Sequence, residues 1–212
     1  MLLAFDTATP AVTVALHDVG RLVGRCTKVD ARRHGELLAP GITRVLDTAW
    51  VRREELTAIA VGVGPGPFTG LRVGLVTART LAAVLDIPVY GVCTLDVLAA
   101  EAVDSGLVTE PFLVATDARR KEVYLASYDP SGARVEGPVV VRPADAASEL
   151  PVVGAGALLY PDAFPHAVGP EHPSAAVLAE VVTHERVELL DPDPLYLRRP
   201  DVATPGKRKR VS

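Results

Sequence analysis

The glycine-rich segment at residues 62–72, Gly-Val-Gly-Pro-Gly-Pro-Phe-Thr-Gly-Leu-Arg, is the strongest candidate for a chemical site. Backbone N–H groups in such a loop, placed before a helix, can bind a phosphate group. The segment nevertheless departs from both common phosphate-binding patterns. A dinucleotide fingerprint needs a glycine where Pro67 stands, and a P-loop ends in Gly-Lys-Ser/Thr where this chain has Gly70-Leu71-Arg72. A weak anion site and a rigid strand-to-helix turn therefore both stay open.

Two aspartates occupy matching places in the two halves of the chain. Asp6 and Asp117 each end a predicted strand, and apolar residues follow both at the same offsets of six and eight. This match indicates an internal duplication. An aspartate at the end of a strand commonly bonds the backbone of its own turn, and we favour this role for both residues.

Other reactive side chains show no catalytic or metal-binding spacing. Cys26 and Cys93 have no Cys-x-x-Cys partner, the five histidines form no pair four residues apart, and no serine lies in a Gly-x-Ser-x-Gly segment. We therefore predict buried, reduced thiols, no metal and no catalytic residue. His34 follows Arg33 at the start of a predicted helix, and we interpret it as a polar helix-start residue.

Composition excludes several classes of protein. The 212 residues are 49% hydrophobic, which is enough for a substantial core. The net charge of −4 argues against wide nucleic-acid binding by this chain alone, and the basic cluster at 207–210 is interpreted as a solvated tail. The absence of an apolar run of about 18 residues and of a signal peptide predicts a cytoplasmic protein without a membrane span.

Hydrophobic periodicity predicts an alternation of strands and helices. The predicted strands are 2–5, 11–16, 21–27, 58–63 and 88–92 in the first half, and 112–116, 122–128, 133–141 and 151–155 in the second. The predicted helices are 34–50, 71–85, 94–103, with Thr94 as N-cap, and 174–184. We expect an α/β protein with two mixed-sheet subdomains, 1–106 and a trimmed 107–200, followed by a disordered basic tail at 201–212.

Five segments spread over nearly the whole chain carry a family resemblance. They are FDTAT at 5–9, RHGELL at 33–38, the glycine segment to Arg72, ATDARRKEVY at 115–124 and PLYLR at 194–198. Together they resemble the bacterial TsaB (YeaZ) family, the dimerisation subunit of the machinery that makes threonylcarbamoyladenosine in tRNA. The resemblance implies a duplicated actin-like, sugar-kinase-like (ASKHA) fold.

The resemblance also implies a non-catalytic role. A subunit of this kind binds the catalytic paralogue TsaD and the ATPase TsaE, and the complex places threonylcarbamoyl on the adenosine next to the anticodon of ANN-reading tRNAs. The paralogue holds its metal with a His-x-x-x-His pair, and the corresponding positions here are Thr94 and Leu98. A hydroxyl and an isobutyl group cannot replace two imidazoles as ligands. We expect a homodimer when the partner is absent, and contact with tRNA only through the complex.

Helices 34–50 and 71–85 are the predicted partner interface. Helix 71–85 is apolar nearly all round and must be covered on more than one side. The predicted interface residues are Leu38, Ile42, Val45, Ala49, Gly66, Phe68, Thr69, Leu71, Gly74, Leu75, Ala78 and Ala82. The alternative is that both helices only cover the sheet of their own chain.

Two other functions stay open. An independent actin-like ATPase or small-molecule kinase is supported by the two aspartates and the glycine segment, and no cofactor is expected beyond weak nucleotide binding. The candidate nucleotide-binding residues are Asp6, Thr7, Asp117, Gly154 and Gly156. A glycoprotease-type peptidase is the third function, for which the sequence offers neither a nucleophile nor a metal constellation.

Overall fold

The computed structural model describes residues 1–198, which form two halves, each built around a five-stranded mixed sheet. The strands of the first sheet are β1 (Leu2–Asp6), β2 (Ala11–Asp18), β3 (Arg21–Val29), β4 (Ala58–Gly62) and β5 (Val89–Val92). The strands of the second sheet are β6 (Phe112–Asp117), β7 (Val123–Tyr128), β8 (Arg134–Val141), β9 (Val152–Val153) and β10 (Ala167–Val168). The predicted tail at 201–212 lies outside the described residues.

Five α-helices connect or cover these strands in the described part of the chain. They are α1 (His34–Ala49), α2 (Phe68–Leu85), α3 (Thr94–Asp104), α4 (Ala155–Leu159) and α5 (Ala175–Thr183). Helix α2 begins three residues earlier than predicted, directly after Pro67. The prediction missed α4 and β10, because five-residue and two-residue elements are too short to show a hydrophobic period.

The two sheets repeat one topology. The first has the strand order β3-β2-β1-β4-β5, and the second has the corresponding order β8-β7-β6-β9-β10. β1 is antiparallel to β2 and parallel to β4, and β6 is antiparallel to β7 and parallel to β9. The predicted duplication and the trimming of the second half are confirmed: where α1 and α2 link strands of the first half, the second half has a 3₁₀ turn at Pro143–Ala146 and the short α4.

The elements stack in layers because side chains alternate between the two faces of each strand. On β1, Leu3 and Phe5 face α1 and α2, whereas Ala4 faces α5 and α3. Helix α3 also packs against the second sheet, whose other face is covered by α4. A single buried helix, α3, therefore joins the two halves of the molecule.

The end of the described chain returns to the first half. The predicted division at residue 106 separates the two sheets, but α5 packs against β1 and β2 of the first sheet. Gly91 and Leu190 exchange backbone hydrogen bonds of 2.8 Å, and the Leu195 amide donates to Val63 O at 2.9 Å. The C-terminal segment thus contacts β5 and the start of the glycine-rich segment.

Helix α2 passes a length and composition test for a membrane-spanning segment, alone among the described helices. This differs from the sequence expectation, because a helix starting at Leu71 would have been too short. Its buried residues, Leu71, Leu75 and Ala78 among them, pack into the core of the first half. A core helix of a water-soluble domain has the same length and composition.

Candidate functional site

The candidate site lies where the β1–β2 turn meets the glycine-rich segment. Asp6 is fully buried at the end of β1, and it accepts hydrogen bonds from the Ala8 amide (2.6 Å) and from the Thr94 hydroxyl (2.7 Å). Burial raises the pKa of its carboxyl group. The predicted turn-bonding role of Asp6 is confirmed, and Thr94 is a second partner that the sequence did not indicate.

Thr94 is not the N-cap that was predicted for α3. Cys93 occupies the cap position without a side-chain hydrogen bond, and Thr94 is the first helical residue. Its hydroxyl is directed to Asp6, and its amide donates to Gly64 O at 2.7 Å. The start of α3 is therefore held by the site and not by a local cap.

The glycine-rich segment is filled by the chain's own β1–β2 turn. A Cβ atom on Gly62 would overlap the Asp6 carboxylate, and one on Gly66 would overlap the carbonyl group of Ala8. The Thr7 hydroxyl donates to Gly70 O at 2.8 Å. Here the glycines allow two loops of one chain to approach closely, so the space that a phosphate would occupy against the segment is taken by residues 6–8.

His34 connects this turn to α1. Its ring is buried, and Nε2–H donates to Thr9 O at 2.8 Å. The prediction of a polar helix-start residue is confirmed, since His34 is the first residue of α1 and no side chain caps that helix. The contact fixes the start of α1 against the same turn that the glycine-rich segment surrounds.

Asp117 occupies the matching place in the second half, but in a different environment. It accepts a hydrogen bond from the Arg119 amide at 2.7 Å and pairs with the Arg119 guanidinium at 3.2 Å. Its predicted turn role is therefore confirmed. Asp117 lines a cleft of about 310 Å³ between the two halves, whereas Asp6 is sealed in the core. The structure does not bring the two carboxylates together at a shared ligand position.

The two candidate nucleotide-binding glycines of the second half, Gly154 and Gly156, allow close packing of the backbone. Gly154 has a φ of 103°, and a Cβ atom there would lie 2.5 Å from Ala115 O. A Cβ atom on Gly156 would lie 2.8 Å from the same carbonyl group. Both glycines let α4 sit directly on β6, and Ala155, Leu158 and Leu159 of that helix line the cleft.

Most of the predicted interface side chains belong to the core of this chain. Ala49 and Phe68 are half-buried, Thr69 is exposed, and Gly66 is covered by Ala8. The buried set is Leu38, Ile42, Val45, Leu71, Gly74, Leu75, Ala78 and Ala82. These residues face the first sheet, so a partner cannot contact their side chains without opening the core.

The outer face of the same two helices carries a different set of apolar side chains. Val76 is 62% exposed, Val84 is 74% exposed, and Trp50, which ends α1 in a left-handed conformation, is 93% exposed. A Cβ atom on Gly35 would lie 4.0 Å from Val73, so the start of α1 lies close to the first half of α2. We call these three exposed residues, Trp50, Val76 and Val84, the outer helix face.

Two further arrangements were missed by sequence reasoning. The rings of Phe68 and Tyr196 stack with centroids 5.0 Å apart, and the Arg72 guanidinium lies 3.6 Å from the Phe68 centroid. Inside the molecule, the Tyr128 hydroxyl donates to Asp96 at 2.7 Å. No local pattern indicates either cluster, because each joins segments that are far apart in the sequence.

The described residues contain no group of three or more histidine, cysteine, aspartate or glutamate side chains that could hold a metal ion. The two positions that the family resemblance assigns to metal ligands, Thr94 and Leu98, are fully buried. Thr94 is engaged with Asp6, and Leu98 belongs to the core between α3 and the second sheet. This donor set does not fit a catalytic metal.

Comparisons with known proteins agree with this geometry. The family model for TsaD, tRNA N6-adenosine threonylcarbamoyltransferase, matches residues 24–160. An uncharacterised protein of Mycobacterium tuberculosis is 44% identical over 207 residues, which are 94% of this chain and 92% of that protein. The solved structure of YeaZ from Pseudomonas aeruginosa has a TM-score of 0.78 and 31% identity, and the match covers 92% of this chain and 99% of that one. The chain belongs to the TsaB (YeaZ) family.

Relatives that carry the TsaB name are matched over part of their length. TsaB of Escherichia coli K12, a tRNA threonylcarbamoyladenosine biosynthesis protein, is 39% identical over 127 residues, which are 60% of this chain and 54% of that protein. TsaB of Bacillus subtilis is 33% identical over 128 residues, with the same two coverages. The YeaZ match confirms the expected duplicated actin-like fold over nearly the whole chain.

Proposed function

We propose that this chain is a non-catalytic subunit for threonylcarbamoyl transfer to tRNA. In this role it binds a catalytic paralogue of the TsaD family, with the ATPase TsaE as a further partner, and the modified base is the adenosine next to the anticodon of ANN-reading tRNAs. The observation that carries the proposal is the pair Thr94 and Leu98, which are buried where metal ligands would be needed.

The sealed state of Asp6 also supports a non-catalytic role. A carboxylate that positions metal or phosphate must reach the ligand, but both oxygens of Asp6 accept hydrogen bonds from the chain itself. The glycine-rich segment presents no open cradle, because the β1–β2 turn fills it. Chemistry that depends on a bound nucleotide therefore lacks its usual contacts in the first half.

The outer helix face supplies a surface for the partner. Large exposed apolar side chains on adjacent helices are typical of protein–protein interfaces, where aromatic residues contribute much of the binding free energy. His34 at the start of α1 bonds Thr9 O, and Thr7 bonds Gly70 O in the first turn of α2. Both helices are therefore held at their N-termini by the β1–β2 turn, which fixes their orientation. A paralogue with the same pair of helices, or a second copy of this chain, would bury Trp50, Val76 and Val84.

The direct test is reconstitution of the tRNA modification from purified components, including the TsaD-family and TsaE-family proteins of the same organism. Threonylcarbamoyladenosine is measured by mass spectrometry of digested tRNA, with and without this chain. We expect modification to require the chain. Undiminished modification in its absence would overturn the proposal, and ATP hydrolysis by the isolated chain that is abolished by Asp6→Ala would favour an independent ATPase.

A further inference from the structure

We propose that this chain itself binds single-stranded RNA through a basic aromatic cleft of about 410 Å³ beside the start of α2. The cleft is lined by Phe68 and Tyr196 on one side and by Arg119 and Arg198 on the other, with Tyr124 at its base. It does not include the outer helix face, and it adjoins the cleft lined by Asp117, with which it shares Pro67 and Arg119. The source of the RNA, a tRNA, rests on the proposed function, but binding by the isolated chain does not.

The aromatic side of the cleft is preorganised for stacking. Phe68 and Tyr196 stack at an interplanar angle of 22°, and Arg72 covers the Phe68 ring while its Nε–H donates to the Tyr196 hydroxyl at 2.9 Å. Tyr196 nevertheless remains 39% exposed. An exposed ring held in place by a second ring and a guanidinium group offers a base a stacking surface at little cost in side-chain entropy.

The opposite side of the cleft is basic. Arg119 and Arg120 line it, and Lys121 follows them in the β6–β7 turn; all three residues are exposed, with φ values of 63°, 56° and 62°. Arg198 donates to Ala118 O at 3.2 Å and also pairs with Glu122.

The local charge balance favours a polyanion. The carboxylates of Asp117 and Glu122 pair with Arg119 and Arg198, and Arg72 and Lys121 beside the cleft add further positive charge, which leaves an excess without counting Arg120. This excess is local, since the whole chain has a net charge of −4. A phosphodiester strand matches such a surface because its phosphates bind the cations while its bases stack on the aromatic rings.

Charge complementarity favours RNA over an acidic protein surface, because the cleft is basic and also carries stacked aromatic rings.

The test uses the full chain and a fluorescein-labelled oligouridylate of about 15 nucleotides, with binding followed by fluorescence anisotropy at several salt concentrations. The cleft variant is Arg119→Glu/Lys121→Glu. The matched control is Arg52→Glu/Arg53→Glu, an adjacent exposed basic pair just before β4, at the end of that strand opposite to the glycine-rich segment. Both variants change the net charge equally, and circular dichroism confirms that each is folded.

We expect the cleft variant to bind about tenfold more weakly and to show a salt dependence smaller by about 0.7 per lost phosphate contact. Tyr196→Ala should weaken binding about tenfold with an unchanged salt dependence, and Tyr196→Phe should retain most of the affinity. The control pair should bind like the parent chain. Total tRNA should compete with the labelled strand.

Several results would overturn the proposal. These are no binding by the parent chain at low salt, equal losses in the cleft and control variants, or a loss that occurs only when the chain is truncated after Pro200. Normal RNA binding by the cleft variant together with lost co-purification of a TsaD-family protein would make the cleft a protein interface. If modification proceeds without this chain but the cleft still binds RNA, the proposed function fails and the RNA site stands.

Discussion

The hydroxyl group of Thr94 and the carboxylate of Asp6 form a buried hydrogen bond of 2.7 Å between residues 88 positions apart. The bond joins the end of β1 to the start of α3, the helix that connects the two halves. In the TsaB family member described here, a position that the resemblance assigns to a metal ligand thus holds a side chain that stabilises the molecule.

Removal of this hydroxyl should destabilise the protein. Thr94→Val keeps the side-chain shape but leaves one oxygen of the buried Asp6 carboxylate without its donor. We expect a loss of about 1–3 kcal/mol in the free energy of unfolding, measured by urea denaturation. Thr94→Ser retains the hydroxyl and should lose less. Unchanged stability of Thr94→Val, or a larger loss in Thr94→Ser than in Thr94→Val, would contradict a stabilising role of the hydrogen bond.

A side chain at Gly66 should be poorly tolerated. The Cβ atom of Gly66→Ala would overlap the backbone carbonyl group of Ala8, which cannot move without disturbing the Asp6 turn. We expect a loss of about 1–3 kcal/mol in the free energy of unfolding, as for an overpacked core. The control is Gly35→Ala on α1, where the nearest atom would be 4.0 Å away and no loss is expected. An unchanged free energy of unfolding in Gly66→Ala would contradict the close packing of the two loops.

His17 should make the protein sensitive to acid. It is buried at the end of β2, and neither ring nitrogen has a hydrogen-bond partner among the described residues. Burial lowers the pKa of His17, with Glu180 opposing and His184 adding to the shift. The pKa of His17 is therefore higher in the unfolded chain than in the folded chain, and the unfolded chain is protonated first as the pH falls. The stability that neutral His17 contributes is present above the ordinary pKa of 6.5 and is lost as the pH falls below it.

The measurement for His17 is the free energy of unfolding between about pH 7 and about pH 5. His17→Leu removes the titrating group and should show a smaller loss over this range. His166→Gln is the control, since His166 is exposed on the second half. Identical slopes for the parent chain and His17→Leu would show that His17 does not contribute to the acid sensitivity.

The two cysteines should differ in reactivity. Cys93 is fully buried, and burial raises the pKa of its thiol to about 12, whereas Cys26 on β3 is partly accessible. Iodoacetamide at mildly alkaline pH should therefore label the native chain once, at Cys26, and the denatured chain twice. Mass spectrometry of the labelled peptides distinguishes the sites. Labelling of native Cys93 at the rate of Cys26 would mean that α3 opens readily.

Charge on the outer helix face should prevent partner binding. Val76→Glu/Val84→Glu places two carboxylates in the proposed interface, and we expect co-purification with the TsaD-family protein to fall at least tenfold. Val19→Glu/Val135→Glu is the control, because both valines are highly exposed and lie outside α1 and α2. Analytical ultracentrifugation of the isolated chain tests the homodimer. Unchanged partner binding by the first variant would place the interface elsewhere.

Local sequence patterns predicted the long strands and helices well. The alternating residues of β2 and the helical stripe of α1 were recognised with ends within about two residues, and the matching offsets after Asp6 and Asp117 revealed the duplication. The burial of most predicted interface side chains within this chain has a physical cause. The stripe containing Leu38 and Leu75 shows that these helices bury one face, but the stripe alone does not say whether the sheet or a partner covers it.

The sequence by itself determined the two repeated sheets, the departure from phosphate-loop patterns and the absence of imidazoles at positions 94 and 98, because these depend on residue type, period and spacing. Only the tertiary structure decided that the β1–β2 turn fills the glycine-rich segment, that Thr94 bonds Asp6, and that Tyr196 stacks on Phe68. These contacts join residues far apart in the chain. Which residues meet in these contacts depends on how the sheets and helices pack around α3, and no local sequence pattern predicts that packing.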